Sequence, residues 1–271
     1  MPERPAQTFF SCLCLALSLA GPLAIAQPGI PLPAHSHNDY ERPRPLFSAL
    51  QLRFASVEAD IYLVRDELLV GHDAQDLMPG RTLRNLYLEP LRLIVMRGVG
   101  QVYPETTTPL LLVVDIKTEA EATYRALDQA LAPYQDFLTR FTPEGTELGA
   151  VTVVVSGNRP RELMASQEER FMGYDGRLAD LTAGNIDSNL IPLVSNNWDD
   201  VFSWRGSGPM PEDEREQLMT LVGLARENNV KLRFWNTPDI PPVWEALYES
   251  DIDLINADRI DALSEFLLSQ P

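Results

Sequence analysis

Ala55-Ser56-Val57-Glu58-Ala59-Asp60-Ile61-Tyr62-Leu63 reads as a strand that is apolar on one face and charged on the other. Side chains alternate across a strand, so Ala55, Val57, Ala59, Ile61 and Leu63 form one row fit to pack under helices. Glu58 and Asp60 fall on the opposite face. A second run repeats the design: Leu110, Leu112, Val114 and Ile116 share one face, while Asp115 and Lys117 share the other. Charges gathered at the C-terminal ends of otherwise apolar strands suit a parallel barrel, where those ends form the active-site face.

Outward from these two strands the pattern continues. Further strands are expected at 32–37, 151–157, 171–174, 190–196, 231–236 and 253–257. Helical patterns lie between them. Over 119–132, Ala120, Tyr124, Leu127 and Leu131 align, and Thr118 with Glu121 predicts a capping box. Over 211–228 an acidic first turn precedes the aligned Leu218, Leu221, Val222 and Ala225. Ile260, Leu263 and Leu267 share a face at the end of the chain. Eight strands interleaved with helices in about 240 residues predict the α/β class and a single (β/α)8 TIM barrel. A doubly wound open sheet is the rival, disfavoured because no glycine-rich phosphate loop follows the first strand.

Composition narrows the function. Acids outnumber bases by 39 to 22, a net charge of −17 that argues against nucleic acid or a broad anionic membrane surface as partner. Hydrophobic residues make up 45% of the 271, enough for a packed core rather than disorder. Residues 9–20 are apolar and uncharged, and Ala24-Ile25-Ala26 follows as a cleavage signal. The expectation is a signal peptide over 1–26, one domain over 27–271, and export to a periplasm or the exterior. Cys12 and Cys14 both fall within that signal, so neither disulfide nor thiolate chemistry is expected of the mature chain. No second apolar run approaches the length of a transmembrane segment.

Three carboxylates aimed into one barrel mouth repel strongly and call for a cation. With oxygen donors and no sulfur, that cation is expected to be Mg²⁺ or Ca²⁺. The chain has three histidines, His35, His37 and His72. His35 and His37 share a face at the end of the first strand, and His72 follows the second strand, with Asp73 beside it to fix its tautomer. Two imidazoles beside a metal suit phosphodiester cleavage, one as base or nucleophile and the other protonating the leaving oxygen.

His35-Ser36-His37-Asn38, Val57-Glu58-Ala59-Asp60-Ile61, Val70-Gly71-His72-Asp73 and Val114-Asp115-Ile116-Lys117 occur in a telling order. Together they resemble the phosphatidylinositol-phospholipase-C-like TIM-barrel phosphodiesterases, particularly glycerophosphodiester phosphodiesterases and the sphingomyelinase D relatives. Arg233-Phe234-Trp235-Asn236 and Asn256-Ala257-Asp258 look like that family's late strands. The resemblance implies Glu58, Asp60 and Asp115 as metal ligands, His35 and His72 as the catalytic pair, and Lys117 as a phosphate contact. Asn38, Arg233 and Trp235 join them as substrate-binding candidates, leaving His37 without a role. The implied substrate is a small-molecule or lipid phosphodiester.

The chain departs from the family where glycerophosphodiesterases carry His-Arg-Gly and this sequence has His35-Ser36-His37. Its third ligand, Asp115, is closer to the sphingomyelinase D pattern. Among rivals, a zinc amidohydrolase needs histidines on later strands, and none follows His72. A two-carboxylate glycosidase leaves the histidines unexplained. A catalytically silent exported binding protein on the same barrel is the reading from a different class. Trp204 and Trp244 are expected in the outer layer, whereas Trp198 and Trp235 stand where they can wall a cleft. Asp175, Arg177, Ser156 and Asn158, at later strand ends, fit either the mouth or ordinary turns.

Overall fold

A computed structural model describes residues 30–270. The expected signal peptide, with Cys12 and Cys14, lies outside the described residues. Eight parallel strands close into a barrel: β1 (Leu32–Ser36), β2 (Phe54–Val64), β3 (Leu110–Ile116), β4 (Val151–Gly157), β5 (Met172–Gly176), β6 (Leu193–Asn197), β7 (Lys231–Trp235) and β8 (Leu254–Ala257). Each pairs with the next, and β8 pairs with β1. One helix follows each strand: α1 (Phe47–Gln51), α2 (Glu89–Arg97), α3 (Ala120–Leu131), α4 (Arg161–Ala165), α5 (Leu178–Thr182), α6 (Glu212–Glu227), α7 (Pro241–Glu249) and α8 (Ile260–Leu268). The chain is a single (β/α)8 barrel. No helix among the described residues is long and apolar enough to cross a membrane.

Alternation sorts the side chains as the sequence predicts. Val57, Ala59 and Ile61 of β2 and Leu110, Leu112, Val114 and Ile116 of β3 join the layer shared with the helices. Inside the barrel, Leu111, Val113, Val154, Leu193 and Leu254 form a separate small cluster, and the polar residues lie nearer the C-terminal strand ends. Ala55 departs from its row and packs on this interior cluster. The β1–β2 register shifts between Leu32 and His35, where β1 carries one residue more than β2, so Pro33 and Ala34 stand opposite Ala55.

Other boundaries move for local reasons. β6 starts at Leu193 rather than at Leu190, because Pro192 has no N–H to give a ladder. β5 runs on through Asp175, whose buried carboxylate accepts from Ser156 Oγ at 2.7 Å. The expected capping box does not form. Glu119 caps α3 instead, accepting from the amides of Glu121 and Ala122 at 3.1 and 2.7 Å. Thr118 is drawn away because its hydroxyl accepts from Leu63 N at 3.0 Å.

Two additions sit outside the barrel. A hairpin pairs Arg140–Thr142 with Gly145–Glu147. β2, at 11 residues, overruns its neighbours and turns through Arg65-Asp66 into an antiparallel strand, Glu67–Val70. That return delivers His72 to the barrel mouth.

Trp198, expected as a cleft wall, is instead fully buried against Phe202 and Phe234, with ring centroids 4.3 and 5.7 Å away. Phe234→Ala, which empties the middle of this cluster, should destabilise the fold by about 3–5 kcal/mol in urea denaturation.

Candidate active site

Asp60 and Asp115 face each other as cross-strand partners of β2 and β3, and Glu58 stands one alternation earlier on the same inward face. One oxygen from each lies within 4.8 Å of the other two. Lys117 Nζ reaches Asp60 Oδ2 at 3.2 Å and Asp115 Oδ1 at 3.0 Å. Asn38 N–H donates to Glu58 Oε2 at 3.2 Å, and Tyr40 O–H donates to Asp60 Oδ2 at 2.9 Å. Gly157 closes the wall behind Asp115. Its φ is +67°, and a Cβ there would sit 2.2 Å from Asp115 Oδ1. Only glycine satisfies both demands.

Charge crowding shows in the acids themselves. Burial and the neighbouring Glu58 push Asp60 up to about 6, against the pull of Lys117. Burial likewise raises Asp115. Burial also opposes ionisation of Glu58, but His35, His37 and Arg233 outweigh it and hold that carboxyl well below its ordinary value. Three carboxylates so close, offering only oxygen, make a donor set suited to a hard divalent cation.

The histidines divide differently from expectation. His35 is fully buried, its Nδ1 2.7 Å from Ser56 Oγ and its Nε2 2.6 Å from Arg233 Nη1. A guanidinium only donates, so Nε2 accepts and Nδ1 carries the proton. Burial first, and then the Arg233 charge, lower its pKa to about 3. Both nitrogens are engaged, and the free one that a base or nucleophile needs is not left to His35.

His37 lies in the mouth, its side chain 31% exposed, with Nε2 3.6 Å from Glu58 Oε2 and Nδ1 2.8 Å from Asp258 Oδ1. Burial disfavours its charge, yet the Asp258 hydrogen bond and the Glu58 charge raise its pKa above the ordinary histidine value. His72 stands across the site, half-exposed, with Nδ1 3.5 Å from Asp60 Oδ2 and 3.3 Å from Tyr40 Oη. Tyr62 O–H donates to its carbonyl at 2.8 Å. Asp73 does not orient this ring; its N–H donates to Asp76 Oδ2 in the next turn.

The remaining candidates separate as well. Arg233 is buried, its Nε donating to Ser195 Oγ and its Nη1 to Asn256 Oδ1 and His35 Nε2, which fixes those donors in the barrel interior. Lys117 is engaged with the carboxylates. Asn38 is held in the left-handed region and accepts from Tyr40 O–H at 2.9 Å. Trp235 ends β7 at the rim, 37% exposed. Asp175 and Ser156 belong to the interior polar layer, while Asn158 Nδ2 donates outside it to Thr118 O.

Sequence reasoning missed Tyr40 and Asp258. Asp258 follows β8 directly, but its partnership with His37 spans the barrel seam and leaves no local pattern. Tyr40 is brought back by the positive φ of Asn38, which side-chain chemistry alone does not announce.

Two outcomes follow from this geometry. His35 binds fewer protons folded than unfolded between pH about 6.5 and about 3, so stability rises with pH across that window. The loss on acidification is roughly 1.4 kcal/mol per unit from this group. His35→Gln should flatten the slope in urea titrations at pH 4 to 7; an unchanged slope would show His35 is not held neutral. Gly157→Ala should displace Asp115 and weaken divalent-cation binding at least tenfold by calorimetry, a change of about 1.4 kcal/mol.

Comparison with known proteins places the chain. Residues 24–175 match the AIM6-like phosphodiesterase domain. Altered inheritance of mitochondria protein 6 homolog from Arthroderma benhamiae is 31% identical over 263 residues, covering 86% of this chain and 83% of that protein. The Altered inheritance of mitochondria protein 6 of Eremothecium gossypii is 31% identical over 274 residues, covering 86% and 68%. Among solved structures, a glycerophosphodiester phosphodiesterase from Agrobacterium tumefaciens superposes with a TM-score of 0.47 at 14% identity, covering 86% of this chain and 97% of that one. The phosphatidylinositol-specific phospholipase C of Listeria monocytogenes gives 0.47 at 9% identity, covering 92% and 97%. With a family match over more than half its length and a 31% identical relative of which it covers 83%, the chain belongs to the AIM6-like phosphodiesterase domain family.

Proposed function

We propose that this chain is an exported, metal-dependent phosphodiesterase acting on a small or lipid-headgroup phosphodiester. The observation that carries the reading is the carboxylate triad of Glu58, Asp60 and Asp115 with His37 and His72 on either side. Bound there, Mg²⁺ or Ca²⁺ would offset the triad's charge and polarise a phosphoryl oxygen. His37 takes the role of base that sequence reasoning gave to His35. Its Nδ1 is oriented by Asp258, leaving Nε2 to accept a proton from water or a substrate hydroxyl. His72 protonates the departing alkoxide. The acidic surface supports a small or headgroup substrate rather than nucleic acid.

Turnover of glycerophosphodiesters, lysophospholipids and a nitrophenyl phosphodiester by the metal-stripped protein, with Mg²⁺ or Ca²⁺ restored, tests the reading. Activity should vanish on chelation and return with the ion. Full activity after exhaustive chelation excludes the metal, and no turnover of any substrate favours a silent binding protein.

Role assignments have separate readouts. A departing alkoxide needs a proton far more than a nitrophenolate does, so His72→Ala should harm alkyl substrates most. His37→Ala should harm both kinds alike by ~10²–10⁴-fold. Because Asp60 must lose its proton to bind a cation and is raised to about 6, affinity should fall as pH drops below that value. Calorimetry at pH 5 and 7 checks this, and pH-independent affinity contradicts it.

A further inference from the structure

Tyr40 is buried, yet it touches three members of the mouth. Its hydroxyl lies 2.9 Å from Asp60 Oδ2, 2.9 Å from Asn38 Oδ1 and 3.3 Å from His72 Nδ1. One proton serves these contacts. Asp60 Oδ2 and Asn38 Oδ1 are acceptors, so the phenol proton points toward them. The hydroxyl's remaining lone pair is left for His72, and accepting there requires a proton on Nδ1.

The surroundings fix the phenol independently of His72. Arg81 Nη2 donates to the Tyr40 carbonyl at 2.6 Å, and Val70 N–H donates to the Arg81 carbonyl at 2.8 Å. Arg81 thus fastens the loop after β1 to the strand that carries His72. Tyr62 pins the His72 backbone from β2. The imidazole is half-exposed, so its contacts with Tyr40 and Asp60 are what restrain its rotation.

We propose that Tyr40 is a positioning residue whose hydroxyl holds His72 in the Nδ1–H form, making Nε2 the nitrogen that faces substrate. The consequence for turnover rests on the phosphodiesterase reading above, whereas the tautomer stands without it. In the acid step, the Nε2–H bond of the imidazolium breaks as the O–H bond of the leaving alcohol forms. The electron pair stays on Nε2, and the neutral ring that results is the form Tyr40 accepts from. No tautomer change is then needed between steps. Free neutral imidazole is not bound to this choice, because either nitrogen can carry the proton.

Long-range proton–nitrogen correlation spectra of ¹⁵N-histidine-labelled full chain at pH 8 test the tautomer, with His72→Ala assigning the ring. The wild type should show His72 as Nδ1–H, and Tyr40→Phe should lose that pattern. An Nε2–H ring in the wild type overturns the proposal without any variant. An Nδ1–H ring persisting in Tyr40→Phe overturns it too, by assigning the hold to Asp60. In turnover, Tyr40→Phe should lower kcat for alkyl phosphodiesters on the order of ten- to a hundredfold. KM should move less than twofold, and nitrophenyl substrates should lose much less. Equal loss on both leaving groups contradicts the positioning role. A wild type inert toward every phosphodiester sinks the functional reading while the spectra still decide the tautomer.

Discussion

Like charges packed into a closed barrel govern this molecule. Glu58, Asp60 and Asp115 are drawn together by the β2–β3 register, and the barrel interior gives them little water for relief. Compensation comes from around the ring: Lys117 beside two of them, the Asn38 amide on Glu58, and the Arg233 guanidinium reaching toward it from β7. Even Gly157 is explained by the same crowding, since any side chain there would displace Asp115.

That constraint also separates two histidines that sequence alone places side by side. His35 lies within reach of Arg233, and a buried imidazole beside a guanidinium stays neutral and accepts. Two residues on, His37 has passed the end of the strand and meets carboxylates on both sides. Alternation assigns both to one face, but only depth distinguishes a floor residue from one at the opening. The polar floor continues through Ser195, Asn256, Ser156 and Asp175, closing the interior beneath the mouth.

The barrel was legible because period-two alternation and helix periodicity are strong over short windows, and they hold for β2, β3, α3, α6 and α8. The acidic triad was legible for the same reason, since its members fall on the inward rows of two adjacent strands. What escaped was set by loops and by distance along the chain. Tyr40 depends on a left-handed Asn38, Asp258 meets His37 across the seam between first and last strands, and Trp198 turns inward because Phe202 and Phe234 offer it a core. In α3, Thr118 had two possible partners, and the tertiary one on β2 won.

The strand that returns His72 pairs with the overhanging end of β2 and lies at the edge of the sheet, outside the closed ring. Opening it would break a hairpin ladder and the isolated bridge from Leu69 to Thr82, while all eight barrel pairings survive. That edge strand is nonetheless fastened: Leu68, Leu69 and Val70 are buried, Gly71 N–H donates to Asp60 O, and Tyr62 O–H donates to the His72 carbonyl. His37 is held by the ring itself, its backbone N–H donating to Ala257 O in the closing strand. The two sides of the cleft are held by different means: one belongs to the closed ring, and the other is a flap sewn down along its edge by buried side chains and hydrogen bonds.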